Sequence, residues 1–146
     1  MIKYEIYLNN TNSILFNEIV ELTDLTKFYF KEAIDDFNRE IRWDGMWDYS
    51  EALVRLKSGW KLLVFVPDNK VRGWCWLDVS YGEFLNLWIN SNWRNMGWGN
   101  KMYLSMEVIA KQIGLDYIHC FVDDWNIIGQ KTVKKAGWYE VNGEKC

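Results

Sequence analysis

The chain has 146 residues, 49% hydrophobic and 25% charged, which is enough apolar material for one substantial core and too much for a disordered chain. Aromatic residues make up 17%, with ten Trp, and the formal net charge of −3 lacks the basic footprint that broad nucleic-acid binding needs. Cys75, Cys120 and Cys146 are odd in number and widely spaced, and with one His they form no repeated metal-ligand framework, so reduced thiols and no bound metal are expected. No apolar run approaches the roughly 18 residues that span a bilayer, and Met1 leads into a mixed, alternating segment rather than a signal peptide. A single cytoplasmic domain over residues 1–146, with no membrane partner, is therefore expected.

In chain order, Lys3 to Leu8 alternates as a strand, and Asn9 to Asn12 break it. Ile14 to Leu22 reads as a first helical stretch. Thr23 and Asp24 are cap candidates ahead of a second helix, whose buried face is Phe30, Ala33, Ile34, Phe37 and Ile41. Trp43 to Trp47 interrupts the pattern. Asp48 and Glu51 have capping-box spacing before a short helix carrying Ala52, Leu53 and Leu56, stopped by Gly59. Trp60 to Val66, a turn at Pro67 to Lys70, Val71 to Val79, a turn at Tyr81 and Gly82, and Glu83 to Ile89 then read as three antiparallel strands. After a polar loop over Asn90 to Asn95, Met102, Met106, Ile109 and Ile113 mark a helix ending at Gly114. Asp116 to Val122 is a short buried strand. Asp123 or Asp124 is a cap candidate for a helix running to Lys135, and Gly137 precedes a last strand, Trp138 to Val141.

The segment that carries chemistry is Arg94-Asn95-Met96-Gly97-Trp98-Gly99. A loop feeding a helix N-terminus presents unpaired backbone N–H groups and the positive end of the helix dipole, and its glycines let a phosphate approach the main chain. Arg94 and Lys101 add positive charge. It is neither a P-loop, lacking Gly-Lys-Ser/Thr, nor a dinucleotide fingerprint, because position 102 is Met where a third glycine belongs. Glycines that merely ease a strand-to-helix turn are the plain alternative.

At this segment the chain resembles the GNAT superfamily of acetyl-CoA-dependent N-acyltransferases. The family pattern runs from a hydrophobic strand end through Q/R-x-x-G-x-G/A into a helix, and residues 89–99, INSNWRNMGWG, match it position by position. Val122, Asn126, Gly137 and Trp138 match a second family motif, and Gly73-Trp74 is also similar, so the resemblance covers roughly residues 60 to 141. It implies an α/β (α+β) fold, a mixed and mostly antiparallel sheet flanked by helices. It also implies transfer of an acetyl group from acetyl-CoA to a primary amine by direct attack in a ternary complex, without metal. Carried over by resemblance, Arg94, Asn95, Met96, Gly97, Trp98, Gly99 and Asn100 hold the CoA pyrophosphate. Backbone groups of Leu87, Trp88 and Ile89 pair with the pantetheine, Asn126 faces it, and an N–H near Trp88 or Ile89 meets the acetyl carbonyl.

Glu83, eleven residues before Arg94, matches the catalytic glutamate of histone-acetylating members and is the candidate base. His119 reads as a satisfied core residue. Two departures keep a non-catalytic CoA-binding module open. The family's usual thiolate-protonating Tyr is replaced by Val133, leaving Tyr139 or Tyr103 as substitutes, and only eight residues follow Trp138. The short C-terminus predicts an exposed sheet edge and a possible homodimer. The first 51 residues hold eleven acidic against five basic side chains, a balance of −6, whereas the rest carry +3. Glu40, Asp44, Asp48 and Glu51 around Trp43 to Trp47 therefore suggest an acidic rim for a cationic amine acceptor. A Trp-based carbohydrate platform is the weaker rival, since most Trp fall in predicted strands or beside capping glycines.

Overall fold

The computed structural model describes residues 1–9, 14–41 and 48–141. The expectations for Asn10 to Asn12, for Asp44 and the Trp43 to Trp47 segment, and for the tail after Val141 fall outside the described residues. The elements run β1 (Ile2–Tyr7), β2 (Ile19–Glu21), α1 (Phe30–Glu40), α2 (Tyr49–Lys57), β3 (Lys61–Phe65), β4 (Gly73–Asp78) and β5 (Glu83–Ile89). A single 3₁₀ turn at Ser91–Trp93 leads to α3 (Trp98–Gln112), β6 (Tyr117–Val122), α4 (Ile127–Lys135) and β7 (Tyr139–Glu140). The strands form one sheet in the order β2-β3-β4-β5-β6-β1-β7. Every neighbouring pair is antiparallel except β5 and β6, which are parallel.

Strand alternation sorts the core into two layers. Tyr4, Phe65, Cys75, Leu77, Phe84, Ile118 and Cys120 face α3 and α4, meeting Met102, Met106 and Val133. Leu62, Val64, Trp74, Trp76 and Trp88 face α1 and α2, meeting Phe30, Ala33, Ile34, Phe37 and Ala52. The aromatic richness is concentrated there: Trp74 lies 4.7 Å from the Trp88 ring and 5.1 Å from Phe37, tilted geometries that add to plain area burial. These Trp build core, as their strand positions predicted, while Trp125 is exposed.

Three local expectations are corrected. The segment expected as a first helix, Ile14 to Leu22, holds the strand β2 instead, because Ile19 and Val20 pair with Phe65 and Val64 and add an edge to the sheet. Asp24 does not cap α1. It closes a turn onto Thr26, whose N–H donates to Oδ1 at 3.0 Å, and α1 starts after Tyr29, in the left-handed region at φ 55°. Asn126 rather than Asp123 or Asp124 caps α4, accepting from the Gly129 N–H at 2.9 Å. The Asp48 cap of α2 holds, with the Glu51 N–H donating to its carboxylate at 2.8 Å.

Candidate active site

β5 is the strand on which the site is built. Its parallel partnership with β6 is confined to one register pair, Glu83 with His119. Beyond that pair no further residues of the two strands pair, leaving a gap in the ladder toward Ile89 and Val122. Against β4 the register slips by one residue between Trp74 and Trp76, so that Asn86 and Leu87 form a bulge opposite Cys75. Asn86 takes φ 57°, a conformation Asn tolerates, and its Oδ1 accepts from Arg55 Nη1 at 2.7 Å. Past the bulge, the Asn90 N–H donates to Arg72 at 2.7 Å. That sets the ladder phase: Trp88 turns its backbone groups toward β4, while those of Leu87 and Ile89 face the gap.

Glu83 opens this strand on the α1/α2 side of the sheet, in register with Asp78 on β4 and His119 on β6. It is half-buried, and burial, with the nearby Asp78 carboxylate second, holds its pKa above the usual carboxylate range. That shift moves a carboxylate toward the range useful for accepting a proton from an amine. His119 is not the enclosed core residue its strand suggested. It is half-buried beside Glu83, edge-on to Phe121 at 5.5 Å.

At the other end of β5, residues 94–97 form an exposed turn in which Asn95 and Gly97 take φ 64° and 84°. Gly97 precedes α3 as its N-cap with no side-chain cap, and a Cβ there would meet nothing within 4 Å. The first-turn N–H groups, without intrahelical acceptors, therefore open onto unobstructed space. Gly99 is tighter, since its Cβ would lie 3.3 Å from the Thr132 methyl and 3.7 Å from Leu87. Trp98 packs on Phe65 at 4.4 Å, with the Lys101 ammonium 4.3 Å above its ring. Asn100 is half-buried, and its side-chain Nδ2 has no hydrogen-bond partner. Met96 is 58% exposed.

Arg94 does not simply extend toward a phosphate. Its Nε donates to the Ile89 carbonyl at 2.7 Å, and its Nη2 pairs with Glu40 at the end of α1. Glu40 also accepts from Trp88 Nε1 at 3.0 Å and from the Ser91 N–H at 2.9 Å. Partial burial pushes the Glu40 pKa up, but these donors and the Arg94 charge outweigh it and bring the value down. Glu40 is thus a structural clasp between α1 and the glycine loop, not part of an open acidic rim. Sequence reasoning placed it in the rim by proximity to the Trp43 segment. Its i+3 and i+10 relation to Phe37 and Phe30 on the buried stripe was the available signal.

Asn126 is half-buried and spends Oδ1 on the α4 cap, leaving the Nδ2 end of its amide to donate elsewhere. Val133 is fully buried in the core. Of the substitute hydroxyls, Tyr139 lies on β7, separated from the gap by β6 and β1, and donates to Glu5 at 3.2 Å. Tyr103 is closer. Its ring stacks on Phe84 at 4.2 Å and its buried phenol lies near Cys120, which places it against β5 and β6 from the α3 side. Burial raises its pKa well above that of an ordinary phenol. Among the described residues, no group of three or more His, Cys, Asp or Glu is placed to hold a metal, and no helix is long and apolar enough to cross a membrane.

The chain matches the family model for acetyltransferase (GNAT) proteins over residues 21–138. A search of curated protein sequences finds no significant match. Among solved structures, a GCN5-related N-acetyltransferase from Sphaerobacter thermophilus superposes with TM-score 0.71 at 14% identity, over 96% of this chain and 48% of that one. This chain thus spans about half that relative's length. An aminoglycoside acetyltransferase, meta-AAC0020, from an uncultured soil metagenomic sample, in complex with sisomicin, gives TM-score 0.66 at 16% identity over 88% of this chain and 90% of that one. A GNAT-family acetyltransferase from Colwellia psychrerythraea gives 0.66 at 18% identity, covering 96% and 52%. Identities this low speak to the fold, whereas the family model covers most of the sequence, and on that match the chain belongs to the acetyltransferase (GNAT) family.

Proposed function

We propose that the chain is an N-acetyltransferase that moves the acetyl group of acetyl-CoA to a cationic primary amine by direct attack in a ternary complex. The observation that carries this reading is the construction of β5. One strand bears a carboxylate of raised pKa at its start and gap-facing backbone groups after its bulge, and it runs into a glycine loop at a helix N-terminus. Acetyl-CoA supplies the activated thioester. The first-turn N–H groups of α3, opened by Gly97, hold the pyrophosphate, with Lys101 adding charge. The gap-facing groups of Leu87 and the Ile89 N–H receive the pantetheine as an added strand would be received, the Ile89 carbonyl already accepting from Arg94, and an N–H there donates to the acetyl carbonyl oxygen as negative charge develops on it. Glu83, directly or through water, takes the proton that the attacking ammonium must lose.

The test is release of CoA thiol against a panel of amines, in wild type and Glu83→Gln. Turnover should fall by about 100-fold while CoA affinity stays constant. Full turnover in the variant would remove Glu83 from the mechanism. A CoA-binding module with weak or no catalysis is the second reading, favoured by Val133, which places an inert side chain where a proton donor was expected. CoA binding with no thiol release for any amine would establish it. We read the protein as cytoplasmic, in keeping with the buried free thiols Cys75 and Cys120. A homodimer across the two-residue edge strand β7 is tested by light scattering under reducing conditions, where a monomer mass would dispose of it.

A further inference from the structure

Among the described residues, the helices α1 and α2 cover only part of their side of the sheet. Their core draws on β3, β4 and β5 and includes no residue of β1, β6 or β7. From β4 and β5 out to β7, the strand registers align one transverse row: Asp78 on β4, Glu83 on β5, His119 on β6, Glu5 on β1 and Tyr139 on β7. All five project to the same side, because their sequence neighbours Leu77, Phe84, Ile118, Tyr4 and Trp138 point into the opposite core layer. Past Asp78 and the candidate base, the row therefore continues across β6, β1 and β7, where among the described residues no helix core packs on this side.

Its far end sets a carboxylate among aromatic rings. Glu5 is half-buried and accepts from the Tyr139 hydroxyl at 3.2 Å. That phenol's pKa is pushed up to about 12 by burial first and by Glu5 next, so it remains a donor at neutral pH. The Tyr7 ring stacks with Tyr139 at 6.2 Å and meets Tyr117 at 5.7 Å. These three rings are 55%, 42% and 47% exposed respectively, forming an aromatic surround that suits both an ammonium and the methylenes attached to it. Arg55, beside Asp78, offsets that carboxylate, and Lys3 stands two residues along β1 from Glu5. Glu83 and Glu5 are the other two carboxylates of the row, separated by the width of β6.

We propose that the acceptor is an aliphatic diamine or polyamine, with one nitrogen presented at Glu83 and a second, still cationic, held by Glu5 within the Tyr7 and Tyr139 rings. The inference rests on the acetyl-transfer reading above. Two strand spacings put the anchors about 10 Å apart. Bonds of about 1.5 Å at near-tetrahedral angles advance an extended chain by about 1.25 Å each, so six to nine bonds between nitrogens fit once side-chain reach is allowed for. The methylenes between them cross His119 and the tyrosine rings, a floor better suited to a hydrocarbon chain than to a polyhydroxylated sugar.

The experiment compares 1,6-diaminohexane, n-hexylamine and 1,3-diaminopropane in wild type and in Glu5→Gln, which keeps an acceptor for Tyr139 but removes the charge. Wild type should favour 1,6-diaminohexane over hexylamine by at least about tenfold in kcat/KM, mostly through KM. The short diamine should behave like the monoamine, and the preference should collapse toward unity in Glu5→Gln. A wild-type ratio near one, or a ratio unchanged in the variant, overturns the proposal. Calorimetric titration of 1,6-diaminohexane into the CoA-loaded protein supplies a readout free of turnover, with affinity expected to drop about tenfold in Glu5→Gln. Glu5-dependent binding without thiol release from any amine would refute acetyl transfer and leave the diamine site standing. Turnover that treats all three amines alike would do the reverse.

Discussion

Replacing Glu40 by Ala should destabilise the fold and loosen the glycine loop together, because one carboxylate ties both. Two of its partners are backbone or indole N–H donors at 2.9 and 3.0 Å, and Trp88 is only 4% exposed, so its Nε1 is left without water when the acceptor goes. A hydrogen bond to a charged group contributes about 1.5–3 kcal/mol, and a stranded buried donor forfeits most of that. The Arg94 side chain is 46% exposed, so the ion pair itself adds less than about 1 kcal/mol. Allowing for relaxation at Ser91, the expected loss is about 3 kcal/mol. In a chain of this size that lowers Tm by about 6–12 °C. Glu40→Gln keeps one acceptor and should lose about half as much. The pH dependence has a fixed sign. A carboxylate held below its ordinary value of 4.5 contributes stability above that pH and loses it as pH falls through the folded-state value, so wild type and Glu40→Gln should converge in acid. Thermal melts at neutral and acidic pH measure both effects. A Glu40→Ala protein melting within about 2 °C of wild type would refute the clasp.

Gly97→Asp places a side chain in open space at φ 84°, so it should cost only the backbone strain of about 1–2 kcal/mol. It should nevertheless weaken CoA binding by more than about tenfold through steric and charge exclusion, read by calorimetry on the folded variant. Gly73→Ala should behave oppositely: its Cβ would sit 2.6 Å from the Trp88 carbonyl, a backbone atom that cannot yield cheaply, so stability should fall by about 3 kcal/mol in a denaturant titration. Asp78→Asn retains an acceptor for the Ser80 N–H but removes a charge that raises the Glu83 pKa, so the acid limb of kcat/KM should move to lower pH.

The sequence was most legible where a local signal and the tertiary environment agree. The α3 periodicity, the Asp48 cap, the hairpin through Pro67 and the glycine loop all appear where spacing put them, since each is fixed by its own turn chemistry or by one apolar stripe. The segment before Leu22 misled because Ile19 and Val20 fit a helical stripe and an edge strand equally, and the choice was made by Val64 and Phe65, more than forty residues away. Glu40 was misread for the same reason: its partners Trp88 and Arg94 lie 48 and 54 residues on, beyond any local pattern. The transverse row was illegible altogether, since strand order puts Glu5 next to His119 only after β1 inserts between β6 and β7.

That insertion also relocates the source of the acidic character. Of the carboxylates expected at an acceptor rim, Glu40 is spent on Arg94, Trp88 and Ser91, and Asp48 caps α2. Glu51 lies 3.8 Å from Arg55 on the same helix. Among the described residues, the carboxylates left for the proposed cationic acceptor are on the sheet floor, in half-buried Glu83 and Glu5, rather than on exposed helix ends. Exposed rim charges act over a distance and are screened beyond about 10 Å at 0.1 M ionic strength, whereas partly buried carboxylates act at contact. On the diamine proposal, such a floor would discriminate among amines by where their nitrogens fall along the row. Its selectivity should therefore persist in salt even as the rate of encounter declines, which separates it from an electrostatic rim that would lose both together.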